Sequence, residues 1–150
     1  MKTKKPSKKR ITTPSSDAFD IKAFEGLAAN PPKDSMDLLA IRITELSLLC
    51  GFRVSEVFNL PADTLARDGE SVGLKYRPGI MNERRIRFRF MPILPTAIPN
   101  VERAINDINR IRGSARSLPI TRAAYANRMA ALLPGFKSYQ ARLFSKRAMK

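Results

Sequence analysis

Apolar residues recur along this chain with two different spacings, which predict helices in most segments and paired strands in one. From Asp34 or Ser35 to Cys50 the apolar residues spread around most of the helical circumference, a pattern typical of a helix in the middle of a domain. Between Asn100 and Gly113 they recur every three or four residues, and charged residues occupy the other face. This second pattern predicts a surface helix packed on the core.

Shorter helices are predicted around these two from capping residues and from proline or glycine stops. The first of them ends at the sequence Asn30-Pro31-Pro32, a prolyl break that is a candidate linker. The predicted bounds are Ser16 to Asn30, Ser55 to Pro61, Thr121 to Leu133 and, for a short basic helix, Phe136 to Lys150.

A segment with period two predicts an antiparallel β-hairpin between Val72 and Met91, with a turn around Pro78-Gly79. The alternation predicts one apolar face and one cationic face. Like charges on neighbouring strands repel unless an anion lies between them, so we expect the cationic face to contact phosphates. A half-buried sheet with a solvated polar face is the alternative. The predicted apolar set is Val72, Leu74, Tyr76, Ile86, Phe88 and Phe90, and the cationic set is Lys75, Arg77, Arg85, Arg87 and Arg89.

Together these elements predict an α+β domain that is mainly α-helical with a small antiparallel sheet. Its 150 residues suffice for one domain with a modest core. The predicted organisation is a disordered basic tail (1–16), a short helix and linker (17–33), the main domain (34–135) and a basic C-terminal segment (136–150). The tail is expected to add solubility or to act as an electrostatic arm on DNA.

The charge of the chain indicates its class of partner. Lysine and arginine total 28 against 13 acidic residues, which gives a net charge of +15 and a pI near 10.8. A domain this basic usually meets a polyanion, so DNA or RNA is the expected partner. A lone cysteine, Cys50, allows no internal disulfide and fits a reducing cytoplasm. No apolar run approaches the ~20 residues of a membrane span, so we expect neither membrane insertion nor export, and no cofactor or metal ion.

The segment between the central helix and the short helix after it is a candidate phosphate site. Gly51 can supply the left-handed residue that ends the first helix, which places Arg53 in a tight corner between two helices. An arginine held there, with the carboxylate of Glu56 three residues later, suits bidentate recognition of a phosphate diester. An ordinary ion pair between Arg53 and Glu56 is the alternative.

Residues 48–61 read Leu-Leu-Cys-Gly-Phe-Arg-Val-Ser-Glu-Val-Phe-Asn-Leu-Pro. This segment resembles the first active-site box of the tyrosine recombinases, or phage integrases, and the resemblance extends in order through the hairpin to the helix that ends at Gly113. It implies a family of proteins, carried by phages or mobile elements, that break and rejoin DNA strands. It also implies that Arg53 binds the scissile phosphate and that Glu56 helps to hold the site.

The chain departs from the family pattern at the remaining catalytic positions. In that family the hairpin carries a catalytic lysine in or beside its turn, whereas the turn here holds none, which leaves Lys75 as a weak candidate. Arg77 and Arg84 are poor proton donors because a guanidinium stays protonated far above neutral pH. The family's His-x-x-Arg box and its later His or Trp are also absent, since the chain has 0 His and 0 Trp. Tyr139 therefore lacks the preceding box that would present it as a nucleophile.

These observations predict the N-terminal half of a recombinase catalytic domain, which binds duplex DNA but does not cleave it alone. It would act in the cytoplasm, at the nucleoid in a bacterium, with a second copy or with the remainder of a recombinase on DNA. Two other classes stay open: a non-enzymatic basic nucleic-acid-binding protein, and an interaction protein with an acidic protein partner. The predicted DNA-binding residues are Arg53, Lys75, Arg77, Arg84, Arg85, Arg87 and Arg89.

Overall fold

In the computed structural model the described residues are 20–77 and 88–137. They form an α+β structure in which five α-helices accompany one three-stranded antiparallel sheet. The helices are α1 (Ile21–Ala29), α2 (Ser35–Cys50), α3 (Val54–Phe58), α4 (Ile98–Arg112) and α5 (Arg122–Leu132), and a short 3-10 turn (Pro95–Ala97) precedes α4. The strands are β1 (Leu65–Asp68), β2 (Ser71–Tyr76) and β3 (Arg89–Pro92).

Helix α2 occupies the centre of the core, as its all-round apolar pattern predicts. It contacts α1, α3, α4 and α5, and most of its residues are buried. The Asp34 side chain caps its start by accepting hydrogen bonds from the backbone N–H groups of Met36 and Asp37. At its end Gly51 has φ of 75°, in the left-handed region that glycine adopts without steric cost. Both predicted bounds of this helix are confirmed.

The polar side chains buried on α2 are hydrogen-bonded. Thr44 Oγ1 lies 2.7 Å from the hydroxyl of Tyr125 on α5. Arg42, which is 4% exposed, donates to Asp107 on α4 at 2.8 Å and to Glu45 at 3.1 Å. The other carboxylate oxygen of Glu45 accepts from Arg103 at 2.6 Å. A network of ion-paired side chains therefore links α2 to α4. The pattern of the sequence did not predict this network.

Two further contacts complete the helical layer. Arg128 on α5 pairs with Asp37 at 2.8 Å and with Asp34 at 3.2 Å, which ties α5 to the start of α2. Helix α1 places Phe24 and Ala28 in the common core, so the prolyl segment after it joins two helices of one folded unit. The predicted cap of α1 at Ser16 lies outside the described residues, and the observed cap is Asp20, whose side chain accepts from the N–H of Ala23.

The sheet contains a strand that the sequence analysis missed. Strand β1 pairs with β2 from Leu65 opposite Leu74 to Asp68 opposite Ser71, so a two-residue turn joins them. The first residue of this turn, Gly69, has φ of 66°, a value that favours glycine. Strand β1 is short and half polar, which explains why period-two patterning did not identify it.

Helix α4 begins at Ile98, two residues before the predicted start. Pro99 lies in the first turn, where its missing N–H leaves no hydrogen bond unmade. The end at Gly113 and the cap of α5 at Thr121 agree with prediction. In the described part of the chain no helix combines the length and the apolar character that a membrane span requires.

Candidate nucleic-acid interface

Residues 51–53, here called the arginine corner, are held by contacts on both sides. The Ser47 hydroxyl donates to the carbonyl of Phe52 at 2.7 Å, and the N–H of Gly51 donates to the carbonyl of Ser47 at 2.9 Å. On the other side, the backbone N–H of Arg53 donates to Glu56 Oε1 at 2.8 Å. The backbone of Arg53 is therefore fixed before and after the residue.

The side chain of Arg53 is exposed, whereas its neighbours Phe52 and Val54 are buried. The Glu56 carboxylate thus supports the corner through the Arg53 backbone. This contact holds the backbone of Arg53, and the predicted roles of Arg53 and Glu56 at a phosphate stay predictions. The corner presents a cation to solvent from a fixed point of the chain.

Phe52 connects the arginine corner to the sheet. Its ring lies 4.9 Å from the ring of Tyr76, centroid to centroid, with the planes inclined at 55°. Tyr76 stands opposite Arg89 in the pairing of β2 with β3, and directly opposite residues of an antiparallel pair share a face. The corner therefore lies on the sheet face that carries Arg89, and the side chains of Arg53 and Arg89 are both exposed.

The predicted separation of the hairpin into an apolar face and a cationic face is wrong for the described residues. Lys75 stands opposite Phe90, and Tyr76 stands opposite Arg89, so each face carries both an aromatic ring and a cation. The alternation within each strand was correct, but the register between the strands is offset by one residue from the one that the prediction assumed. A one-residue offset moves every side chain of one strand to the other face.

Lys75 lies on the face opposite to Tyr76 and points away from the Phe52 contact. Its ammonium group pairs with Asp63 at 3.1 Å, and this hydrogen bond lowers the pKa of the Asp63 carboxyl below its ordinary value. The structure therefore brings Arg53 and Glu56 together, places Arg89 on the sheet face beside them, and carries Lys75 and Arg77 on the opposite face.

A cluster that sequence analysis missed lies on the Lys75 face. Arg77 Cζ lies 5.0 Å from the centroid of the Phe88 ring, and Lys75 Nζ lies 6.0 Å from it. Phe90 covers Gly73, because a Cβ built on Gly73 would meet Cζ of Phe90 at 2.6 Å. Gly73 stands opposite Pro92, and Phe90 is its diagonal neighbour on β3, a relationship that can be identified only when the register is known.

Two residues with reactive groups are buried. Burial raises the pKa of the Cys50 thiol to about 12, so this cysteine remains protonated and packs in the core. Burial also raises the pKa of Tyr125 to about 12, against the opposing effect of its hydrogen bond with Thr44. In residues 20–77 and 88–137, no cluster of three His, Cys, Asp or Glu side chains is arranged to hold a metal ion.

Most of the excess positive charge lies outside the described ranges. These ranges hold 15 of the 28 basic residues and 11 of the 13 acidic residues, and so carry +4 of the total +15. The predicted basic tail, the turn at Pro78-Gly79, Arg84, Arg85 and Arg87, Tyr139 and nearly all of the C-terminal basic segment lie outside the described residues.

Comparisons with protein-family models, with curated protein sequences and with solved structures found no match to this chain.

Proposed function

We propose that this chain binds duplex DNA through a recombinase-like phosphate site at Arg53, and that it does not cleave the bound strand by itself. The family assignment rests on the resemblance of residues 48–61 to the first active-site box of the tyrosine recombinases. The geometry that supports the proposal is the arginine corner, where an exposed Arg53 side chain projects from a backbone fixed by Ser47 and Glu56.

A fixed backbone under an exposed guanidinium suits phosphate recognition for a physical reason. Binding then immobilises only the side chain and leaves the corner unchanged, which lowers the entropic cost of association. A guanidinium also matches the geometry of two phosphate oxygens. Arg89, opposite Tyr76 at the neighbouring strand end, adds positive charge where the DNA backbone would continue.

Among the described residues, the proposed DNA site has no general acid, general base or nucleophile of the kind that strand cleavage needs. The chain has 0 His, and Tyr125 is buried with its pKa raised, so it is a poor nucleophile. Lys75 lies on the other face of the sheet and pairs with Asp63. Loss of one well-placed charge-stabilising donor typically costs about 100-fold or more in rate, which supports binding without bond breakage.

The test is a titration of labelled duplex DNA across a range of salt concentrations. Contact with roughly five to eight phosphates predicts a slope of log affinity against log salt of about −4.5 to −7. Arg53→Ala should weaken binding by about 1.5–3 kcal/mol, as expected for a hydrogen bond to a charged group. Arg67→Ala is the matched control, because Arg67 is an exposed arginine of the same sheet, opposite Val72 and roughly 13 Å from the Tyr76 end.

A second candidate function is a non-enzymatic basic nucleic-acid-binding protein without any recombinase-like site. The observation in its favour is that most of the net charge lies outside the described ranges. On this alternative, Arg53→Ala should weaken binding no more than Lys5→Ala in the N-terminal tail. A flat salt slope would contradict both candidates and would favour an acidic protein partner.

A further inference from the structure

The face of the sheet that carries Lys75 presents aromatic rings together with cations. Four side chains of β2 and β3 and their ends share this face, and we call them the aromatic platform: Lys75, Arg77, Phe88 and Phe90. Phe88 is 48% exposed, a large apolar surface to leave in water. The platform is separate from the arginine corner, which packs on the Tyr76 face.

The two rings of the platform have different surroundings. Phe90 is half-buried over Gly73, where a side chain larger than hydrogen would meet both the Phe90 ring and the Met91 backbone. The Phe90 ring therefore lies against Gly73. Phe88 precedes β3 by one residue and stands out further, with Arg77 at 5.0 Å and Lys75 at 6.0 Å from its ring centroid.

We propose that the aromatic platform binds an unpaired nucleotide of single-stranded DNA, with the base stacked on Phe88 and the adjoining phosphates on Arg77 and Lys75. Every base has an apolar π-face, so an exposed ring beside cations binds single strands with little sequence preference. In a duplex the bases are stacked on one another and offer no face to the ring. This inference extends the proposed DNA binding to a second surface and a different form of the ligand.

The charges around Phe88 favour a polyanion over a neutral apolar partner. Arg77 is exposed and Lys75 is half-buried, and one carboxylate, that of Asp63, pairs with Lys75 at 3.1 Å. Asp63 is itself exposed, so a phosphate can replace it at Lys75 without leaving a buried charge unpaired. Of these two cations, Arg77 lies nearer to the ring and keeps its charge available.

The chain offers a direct optical test, because it contains 0 Trp. Phe88→Trp would introduce a single tryptophan on the platform, and short oligothymidylate should quench its fluorescence by stacking. Leu94→Trp is the matched control, since Leu94 is an exposed apolar residue with 51% of its surface accessible and lies beyond the platform. Its fluorescence should not change. Quenching at both positions, or at neither, would overturn the proposal.

Affinity measurements separate stacking from charge. Phe88→Leu should weaken binding of oligothymidylate by roughly 5- to 150-fold, which is the loss of one stacked base, and should leave duplex binding within about twofold. An abasic oligonucleotide of equal length carries the same phosphates and should bind the unaltered chain about as weakly as oligothymidylate binds Phe88→Leu. Equal binding of the abasic and base-bearing strands, or equal quenching by polyglutamate, would overturn the proposal.

These experiments distinguish a failure of the platform proposal from a failure of the proposed duplex binding at Arg53. Duplex binding by the unaltered chain, without stacking on Phe88→Trp, would contradict the platform alone. Stacking on Phe88→Trp without a loss of duplex binding in Arg53→Ala would contradict the arginine corner alone. Thermal unfolding of Phe88→Leu serves as a folding control, and the exposure of Phe88 predicts a melting temperature close to that of the unaltered chain.

Discussion

Phe52 and Tyr76 form the contact that joins the arginine corner to the sheet, with ring centroids 4.9 Å apart. Phe52 directly precedes Arg53 and is 1% exposed, while Tyr76 is the last residue of β2. The pair therefore sets the position of the exposed Arg53 relative to the cationic strand ends. A chain segment as short as α3 could not fix this position alone.

We expect the two rings to be energetically coupled. A double-mutant cycle with Phe52→Leu and Tyr76→Leu should give a coupling of about 0.5–1.5 kcal/mol in urea unfolding, the range for aromatic pairs. Tyr76→Leu should also weaken duplex binding. Phe58→Leu is the control, because it removes a different ring contact, with Tyr125 at 6.1 Å, and should leave the arginine corner in place. Equal losses of DNA affinity in both variants would argue against a positioning role.

Gly73 is required by the close approach of β3. A Cβ at this position would meet the backbone carbonyl of Met91, which cannot move without disturbing the strand pairing. Gly73→Ala should therefore destabilise the fold by about 1–3 kcal/mol, as overpacking does. Gly26→Ala, in α1, provides the opposite control, because nothing lies within 4 Å of its added Cβ. That variant should gain about 0.5–1 kcal/mol in the same chemical unfolding experiment.

The network of ion-paired side chains between α2 and α4 should make the stability of the fold depend on its central arginine, Arg42. Arg42→Leu would leave the buried Glu45 and the half-buried Asp107 with fewer donors, and we expect a loss of about 3–5 kcal/mol in the free energy of unfolding. Arg110→Ala also removes a partner of Asp107, but the Arg110 side chain is 63% exposed. Its loss should cost less than about 1 kcal/mol. Similar melting temperatures for the two variants would contradict this account.

Asp107 should make the fold sensitive to acid. Burial alone would raise its pKa, but hydrogen bonds from Arg42 and Arg110 outweigh burial and hold the pKa below its ordinary value of 3.8. A group whose pKa is lowered in the folded state contributes stability above 3.8 and loses it as the pH falls through the folded value. The stability difference between the unaltered chain and Asp107→Asn should thus be largest near neutral pH and shrink below about pH 3.8. Urea unfolding at several pH values measures it, and a constant difference would refute it.

Several helix bounds were predictable because the residues that set them lie next to them in the sequence. Asp34 and Gly51 bound α2, Gly113 ends α4 and Thr121 caps α5, and all four residues act within one turn of the helix they bound. Local chemistry of this kind is readable from sequence alone.

The sheet was less predictable because strand register depends on partners distant in sequence. Period-two alternation identified β2 and β3 but not the pairing of Lys75 with Phe90. The prediction that all the cations share one face was therefore wrong, and the aromatic platform was not predicted. The contact between Arg42 and Asp107 spans 65 positions and follows from helix packing, which no local pattern encodes. For Arg53, the glycine at position 51 correctly predicted a corner between two helices. The bond from the Arg53 backbone N–H to the Glu56 carboxylate was not predicted, because it depends on the conformation of the Glu56 side chain.

The last prediction separates DNA binding from DNA cleavage. The chain should leave no covalent adduct on a nicked DNA substrate, because the attacking oxygen needs a tyrosine aimed in line and neighbouring donors that neutralise the developing charge. The measurement is denaturing electrophoresis of labelled substrate after incubation with the unaltered chain and with Tyr139→Phe. Tyr125→Phe is the companion variant, since the buried Tyr125 hydroxyl is bonded to Thr44 and is not expected to reach DNA.

A slow-migrating adduct that disappears only in Tyr139→Phe would show that a nucleophile operates here without a histidine box. In that case Arg53→Ala should abolish the adduct as well, because the same guanidinium would stabilise the phosphate under attack. Binding that survives in Tyr139→Phe and falls in Arg53→Ala, with no adduct in either variant, is the expected result. It would follow from a phosphate site built at the arginine corner without the acid, base and nucleophile that turn binding into strand transfer.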